Sequence, residues 1–101
     1  MTAEEYIRLC ENSYFTGSFS ESVIKRDLED KKTIDRMSRL GSRQTNCLAE
    51  KKQFYKNDFD KTEQMLNTIL RDSTSNNQLM QRCRMCKDQI NNLRNIVEKF
   101  N

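Results

Sequence analysis

Four cysteines and no histidine set the chemistry open to this 101-residue chain. Cys83-Arg84-Met85-Cys86 has the C-x-x-C spacing of zinc sites and thiol oxidoreductases. A structural zinc is normally held by four thiolate or imidazole ligands, yet Cys10 and Cys47 stand singly and imidazole is missing. A redox pair sits where a helix N-terminus lowers the thiol pKa, whereas this pair falls inside a predicted helix with no strand before it. Both cysteines also lie on an apolar stripe, where a thiol packs as a small apolar group. Core packing is therefore expected, with zinc or redox chemistry as the alternative. Asp58, Asp60 and Glu63 bring carboxylates together, but alternation with Lys56 and Lys61 reads as a solvated face. Without a histidine base, a glycine-rich phosphate loop or a nucleophile elbow, no enzyme, cofactor or metal site is expected.

The stripe is the strongest pattern in the chain. Leu48, Tyr55, Thr62, Ile69, Asn76, Cys83, Ile90 and Val97 form one seven-residue column. Lys51, Asp58, Met65, Asp72, Leu79, Cys86, Leu93 and Phe100 form a second, three residues on. Apolar residues alternating at three and four make a narrow seam that must be buried against another helix. Phe59 and Leu66 supply apolar surface beside the polar members of the first half. The expected partner-helix interface is thus Leu48, Tyr55, Phe59, Met65, Leu66, Ile69, Leu79, Cys83, Cys86, Ile90, Leu93, Val97 and Phe100. The cluster Asp72-Ser73-Thr74-Ser75-Asn76-Asn77 is locally a turn signal. The heptad count crosses it in phase, which favours one continuous helix of roughly 80 Å, with Asn76 as a buried register-setting residue.

Upstream elements are shorter. Thr2 with Glu5 makes a capping box ahead of Tyr6, Ile7, Leu9 and Cys10, so residues 1–20 read as a short helix followed by a flexible linker over 11–20. Tyr14, Phe15 and Phe19 are possible anchors of that linker to a partner. Ser18 with Glu21 suggests a second capping box opening an amphipathic helix over 21–41, with Val23, Ile24, Leu28, Ile34, Met37 and Leu40. Glu21 to Lys25, Asp27 to Lys31 and Asp35 to Arg39 are acid-before-base pairs that favour it. Gly41-Ser42 marks a break, or a tolerated interruption, before the heptad segment 42–101. The absence of proline and of alternating Val/Ile runs makes the fold class all-α and elongated, with a long C-terminal coiled-coil helix.

With 35% apolar and 33% charged residues and no Trp, the chain has little with which to fill a core alone. The net charge of +3 is spread without a basic run longer than two, so a nucleic-acid partner is not expected. The longest apolar run, Cys47-Leu48-Ala49, falls far short of the roughly 20 residues that span a bilayer. No signal peptide or lipid anchor is read at either end, so any membrane association is expected through partners. Four reduced thiols then fit the cytoplasm.

Phe59-Asp60-Lys61-Thr62-Glu63-Gln64-Met65-Leu66, followed by the Ser/Asn cluster and Leu79-Met80-Gln81, resembles a conserved segment of the KxDL-motif proteins. These are small helical subunits of BORC, the lysosome-positioning complex related to the biogenesis of lysosome-related organelles complex. The resemblance covers roughly residues 50–100. Where the family carries its Lys-x-Asp-Leu signature, this chain reads Lys87-Asp88-Gln89-Ile90 and Asn95-Ile96-Val97-Glu98, and the literal Lys25-Arg26-Asp27-Leu28 lies upstream of the matching segment. The resemblance implies a cytosolic subunit at the lysosomal surface that helps couple lysosomes to kinesin-driven movement through a small GTPase.

The expectation from sequence is a non-catalytic subunit of a hetero-oligomer whose partners are other helical coiled-coil subunits. A self-associating, cytoskeletal or kinetochore scaffold is the alternative structural role.

Overall fold

A computed structural model describes residues 1–41 and 45–101, except for the Leu40 side chain. Leu40, expected on the apolar face of its helix, and Ser42, half of the expected Gly41-Ser42 break, therefore lie outside the described side chains and residues. Four α-helices account for most of the chain: α1 Ala3–Glu11, α2 Glu21–Leu40, α3 Cys47–Asp72 and α4 Asn77–Lys99. The molecule is all-α and elongated, measuring 59 × 24 × 20 Å, and its C-terminal helix has 23 residues.

The single helix expected from Leu48 to Phe100 is two. α3 ends at Asp72, and after four intervening residues α4 opens at Asn77 behind Asn76, whose side chain accepts the Leu79 N–H at 3.1 Å. Between them the Asn76 N–H returns to the Ser73 carbonyl at 3.0 Å. Ser, Thr and Asn satisfy backbone groups locally, so the helix stops where those residues cluster. Asn76 is thus an exposed cap and not a buried register residue. The count stays in phase because two helices facing one core each need spacings of three and four.

α3 and α4 fold back antiparallel. Lys52 donates to the Phe100 carbonyl at 2.8 Å, Arg94 reaches Asp60 and Glu63 at 3.0 and 3.1 Å, and the Cys83 thiol donates to the Leu66 carbonyl at 3.2 Å. Burial of the facing seams stabilises the pair, each large side chain contributing about 1.5–3 kcal/mol.

The first forty residues supply the third rod. α1 starts as expected, the Thr2 hydroxyl accepting the Glu5 N–H at 3.2 Å, and turns Ile7 and Cys10 inward. It lies beside the closed end of the hairpin, where Arg82 pairs with Glu11 at 2.7 Å. The flexible linker expected over 11–20 is instead packed: Asn12–Thr16 continues from α1 as a π-type turn, and the carbonyl of Tyr14 accepts a hydrogen bond from Gln89 at 3.0 Å. Gly17 closes the turn, since a Cβ there would run into the Asn12 carbonyl oxygen and the Ser13 Cα. α2 begins behind Ser20, not at a Ser18 capping box, and no side chain caps it. It then lies along the open end of the hairpin, with Ile24 and Leu28 fully buried.

Candidate interaction surface

The seam residues are the interior of the chain's own bundle. Phe59, Leu66, Cys83, Cys86, Ile90, Leu93 and Val97 have no exposed surface, and Tyr55 and Ile69 are buried. Leu48, Leu79 and Phe100 are half-buried against that core. Only Met65 of the expected partner interface faces outward, 47% exposed. The surface expected to meet a foreign helix is thus covered by α1, α2 and the opposite arm of the hairpin. A seam of three-and-four spacing needs a helix to cover it, and the chain itself supplies one.

The chemistry-bearing residues also serve the fold. Cys10 joins Cys83 and Cys86 in the core, all as free thiols, while Cys47 is half-buried at the start of α3. Burial pushes the Cys10 thiol up to about 11 and Cys86 to about 12, and it raises Cys83 as well. A redox-active or metal-binding cysteine needs the opposite shift, toward thiolate. Among the described residues no group of three or more His, Cys, Asp or Glu side chains has an arrangement that could hold a metal ion.

The acidic cluster of α3 is divided between two struts. Asp58 accepts the Tyr14 hydroxyl at 2.5 Å, and Thr62 lies 2.8 Å from the same oxygen. Asp60 and Glu63 hold Arg94 instead. Burial, reinforced by Asp58, pushes the Tyr14 phenol far above its usual range. Tyr55 makes a parallel link to Asp27 on α2 at 2.6 Å. Of the three aromatics expected as anchors, Tyr14 and Phe19 grip α3, the Phe19 ring lying 5.8 Å from that of Tyr55, while Phe15 is exposed. Their signal was visible in sequence; their target was not.

What α2 leaves outside is more informative. Of the apolar positions read for this amphipathic helix, Val23 is 38%, Ile34 45% and Met37 66% exposed. The buried face of α2 is Ile24 and Leu28, and its last turns meet the start of α3. The expected Asp35–Arg39 pair is not formed, because the Asp35 carboxylate accepts the N–H groups of Cys47 at 2.7 Å and Leu48 at 3.0 Å. The Glu21–Lys25 and Asp27–Lys31 pairs do form, at 3.3 and 3.0 Å.

No protein-family model, curated protein or solved structure matches this chain.

Two adjoining clefts flank α2 on another side. The larger, about 760 Å³, lies between α2 and α4 over Ile96 and Phe100, with Lys25, Arg26 and Lys99 at its edges. The smaller, about 230 Å³, follows α2 past Lys32, Arg36 and Arg39 to Leu48. Both are open and shallow, suited to a surface contact rather than to enclosing a reacting small molecule. No described helix is long and apolar enough to cross a membrane.

Proposed function

We propose that this chain is a non-catalytic helical subunit that binds other proteins within a multi-subunit assembly. The observation that carries this reading is the exposure of Ile34 and Met37, one turn apart on α2, with the charged side chains Asp30 and Lys31 one turn before Ile34. Adjacent exposed apolar side chains rimmed by charge are the usual make-up of a protein contact. The seam of α3 and α4 has no part in it, since its side chains already hold the bundle together. Stability of the bundle and attachment to partners are therefore separate properties of separate faces.

BORC is the assembly to test first, with the cytosolic face of the lysosome as the place of action. Support for that choice is the Phe59–Leu66 resemblance alone. Phe59, Thr62 and Leu66 within it are buried, so their spacing also meets the packing needs of α3.

The test is affinity purification of the tagged full-length chain, unaltered and as Ile34→Asp with Met37→Asp, followed by mass spectrometry. The expected result is loss of the co-purifying subunits from the double variant while its helical circular dichroism is unchanged. Partners retained by the folded variant would refute the reading, and a partner set without BORC subunits would refute the specific assembly.

A further inference from the structure

α2 and α4 run in the same direction, because each is antiparallel to α3: Asp27 meets Tyr55 and Asp35 meets Leu48, as Arg94 meets Asp60 and Lys52 meets Phe100. The cleft between them is a straight trough. Ile96 and Phe100, both half-buried, form its floor. Lys25, Arg26 and Lys99 rim the wider part, and Lys32, Arg36 and Arg39 continue along the same wall. The two parts adjoin, since the Lys32 ammonium stands 6.0 Å from the centre of the Phe100 ring. Lys25, Lys32, Arg36 and Arg39 recur at helical spacing, so their charges follow one side of α2 for about 21 Å.

This wall is not neutralised from within. Several cations elsewhere in the bundle sit on carboxylates, with Arg82 on Glu11, Arg94 on Asp60 and Glu63, and Lys31 and Lys51 on Asp27. Of the trough cations, only Lys25 has an ion-pair partner among the described residues. Two acidic side chains line the trough, Glu29 and Asp35, and Asp35 is committed to the Thr45 hydroxyl and the start of α3.

We infer that the α2/α4 trough is the docking site for an acidic amphipathic α-helix of a partner protein. Such a helix lays its apolar stripe on Ile96 and Phe100 and sets carboxylates against the cations on the α2 wall and Lys99. Its axis lies along the trough, as a third helix does against two parallel neighbours. Nucleic acid fits less well, because among the described residues Phe100 alone offers an aromatic ring for base stacking along the trough. The inference rests on the reading of the chain as an interaction subunit and specifies its partner.

The experiment uses the full-length chain and a fluorescein-labelled designed peptide of about six helical turns, Leu at three-and-four spacing and Glu on both flanks. A peptide of the same composition in scrambled order is the control, and phosphatidylserine vesicles and duplex DNA are competitors. Saturable anisotropy is expected for the amphipathic peptide only, with amide shifts at Ile96 and Phe100 and weakening as NaCl rises from about 50 to about 300 mM. Lys32→Glu with Arg36→Glu should weaken binding by about tenfold or more. No binding, equal binding of the scrambled peptide, indifference to the double charge reversal, or displacement by vesicles or DNA at lower concentration would each overturn the inference. The charge-reversal chain is also put through the affinity purification described above. Partners retained by it but lost with Ile34→Asp and Met37→Asp would refute the trough and leave the proposed function standing.

Discussion

Asp35, on α2, caps the helix that contains Leu48: its Oδ2 accepts the Leu48 N–H at 3.0 Å while its Oδ1 accepts the Cys47 N–H at 2.7 Å. The residue in the cap position itself, Asn46, makes no side-chain cap. The free N–H groups at the start of α3 are thus satisfied from a neighbouring helix, which ties the end of α2 to the beginning of the hairpin. Thr45 adds its hydroxyl to the same carboxylate at 2.9 Å and lies 3.0 Å from the Ser38 hydroxyl. One anion therefore joins α2 to the start of α3.

Replacing Asp35 by Asn removes the charge from the helix N-terminus and should lower Tm by roughly 4–8 °C, the scale of a lost cap in a domain of this size. The Leu48 N–H, with Thr45 and Cys47, holds the Asp35 carboxyl below its usual range. Burial opposes but does not cancel the same effect of the Tyr55 hydroxyl, Lys31 and Lys51 on Asp27, and Arg82 lowers Glu11. Depressed carboxyls contribute stability that is complete above their unfolded values of 3.8 and 4.5 and lost as pH falls through the folded ones. Urea midpoints should accordingly be flat above about pH 5.5 and drop toward pH 3, with a shallower drop for Asp35→Asn.

Tyr14→Phe should cost about 1–3 kcal/mol in urea unfolding, because Asp58 and Thr62 lose their common hydroxyl partner in a half-buried setting. Burial, with Asp58 and Asp27 second, raises the phenols of Tyr14 and Tyr55 above the ordinary 10.0. Raised groups contribute stability that is complete below their unfolded value and lost as pH climbs through the folded ones. At about pH 11 the folded chain should show much less tyrosinate absorbance than the chain in denaturant. Equal absorbance in the two states would refute the placement of both rings.

Thiol reactivity separates Cys47 from the rest. Cys10, Cys83 and Cys86 are buried, and Cys47 is half-buried. Ellman's reagent should modify one thiol rapidly in native protein and all four in denaturant. Rapid native reaction of Cys83 or Cys86 would show that α1 does not cover the hairpin.

Ile90→Ala should destabilise the isolated chain by about 2–5 kcal/mol, the cost of a cavity in a packed core. Ile90→Asp should unfold it outright, because an unpaired carboxylate cannot be buried between α3 and α4. Were the seam a partner interface, the aspartate variant would retain its circular dichroism and lose only its partners.

Solution scattering tests the turn at residues 73–76. The Cα radius of gyration of the folded chain is 16.3 Å. A continuous helix of about 80 Å would by itself give about 23 Å. A monomer near the smaller value supports the hairpin, and a value near the larger one would refute it.

Much of this architecture was legible in local sequence. Thr2 and Glu5 announce the start of α1, the missing proline and the three-and-four spacing announce helices, and the residues of the core can be read from the α3 and α4 seams almost one by one. These features depend on neighbours within a turn or two, where backbone sterics and side-chain spacing decide the outcome.

What covers the seam depended on contacts across the chain. An apolar stripe specifies that a helix must lie on it but carries no record of whose helix that is. The answer rests on the turn at Ser73-Thr74-Ser75-Asn76 and on Tyr14 reaching Asp58, residues 44 positions apart. Asp35 illustrates the same limit: by spacing it belongs with Arg39, yet two backbone N–H groups at a helix start, fixed in place by the fold, hold a carboxylate more firmly than a solvated guanidinium on a mobile side chain. The sequence by itself determined the helices and their inner faces; tertiary structure decided that those faces meet one another and that the tail of α2 and the trough beside α4 are left for something else.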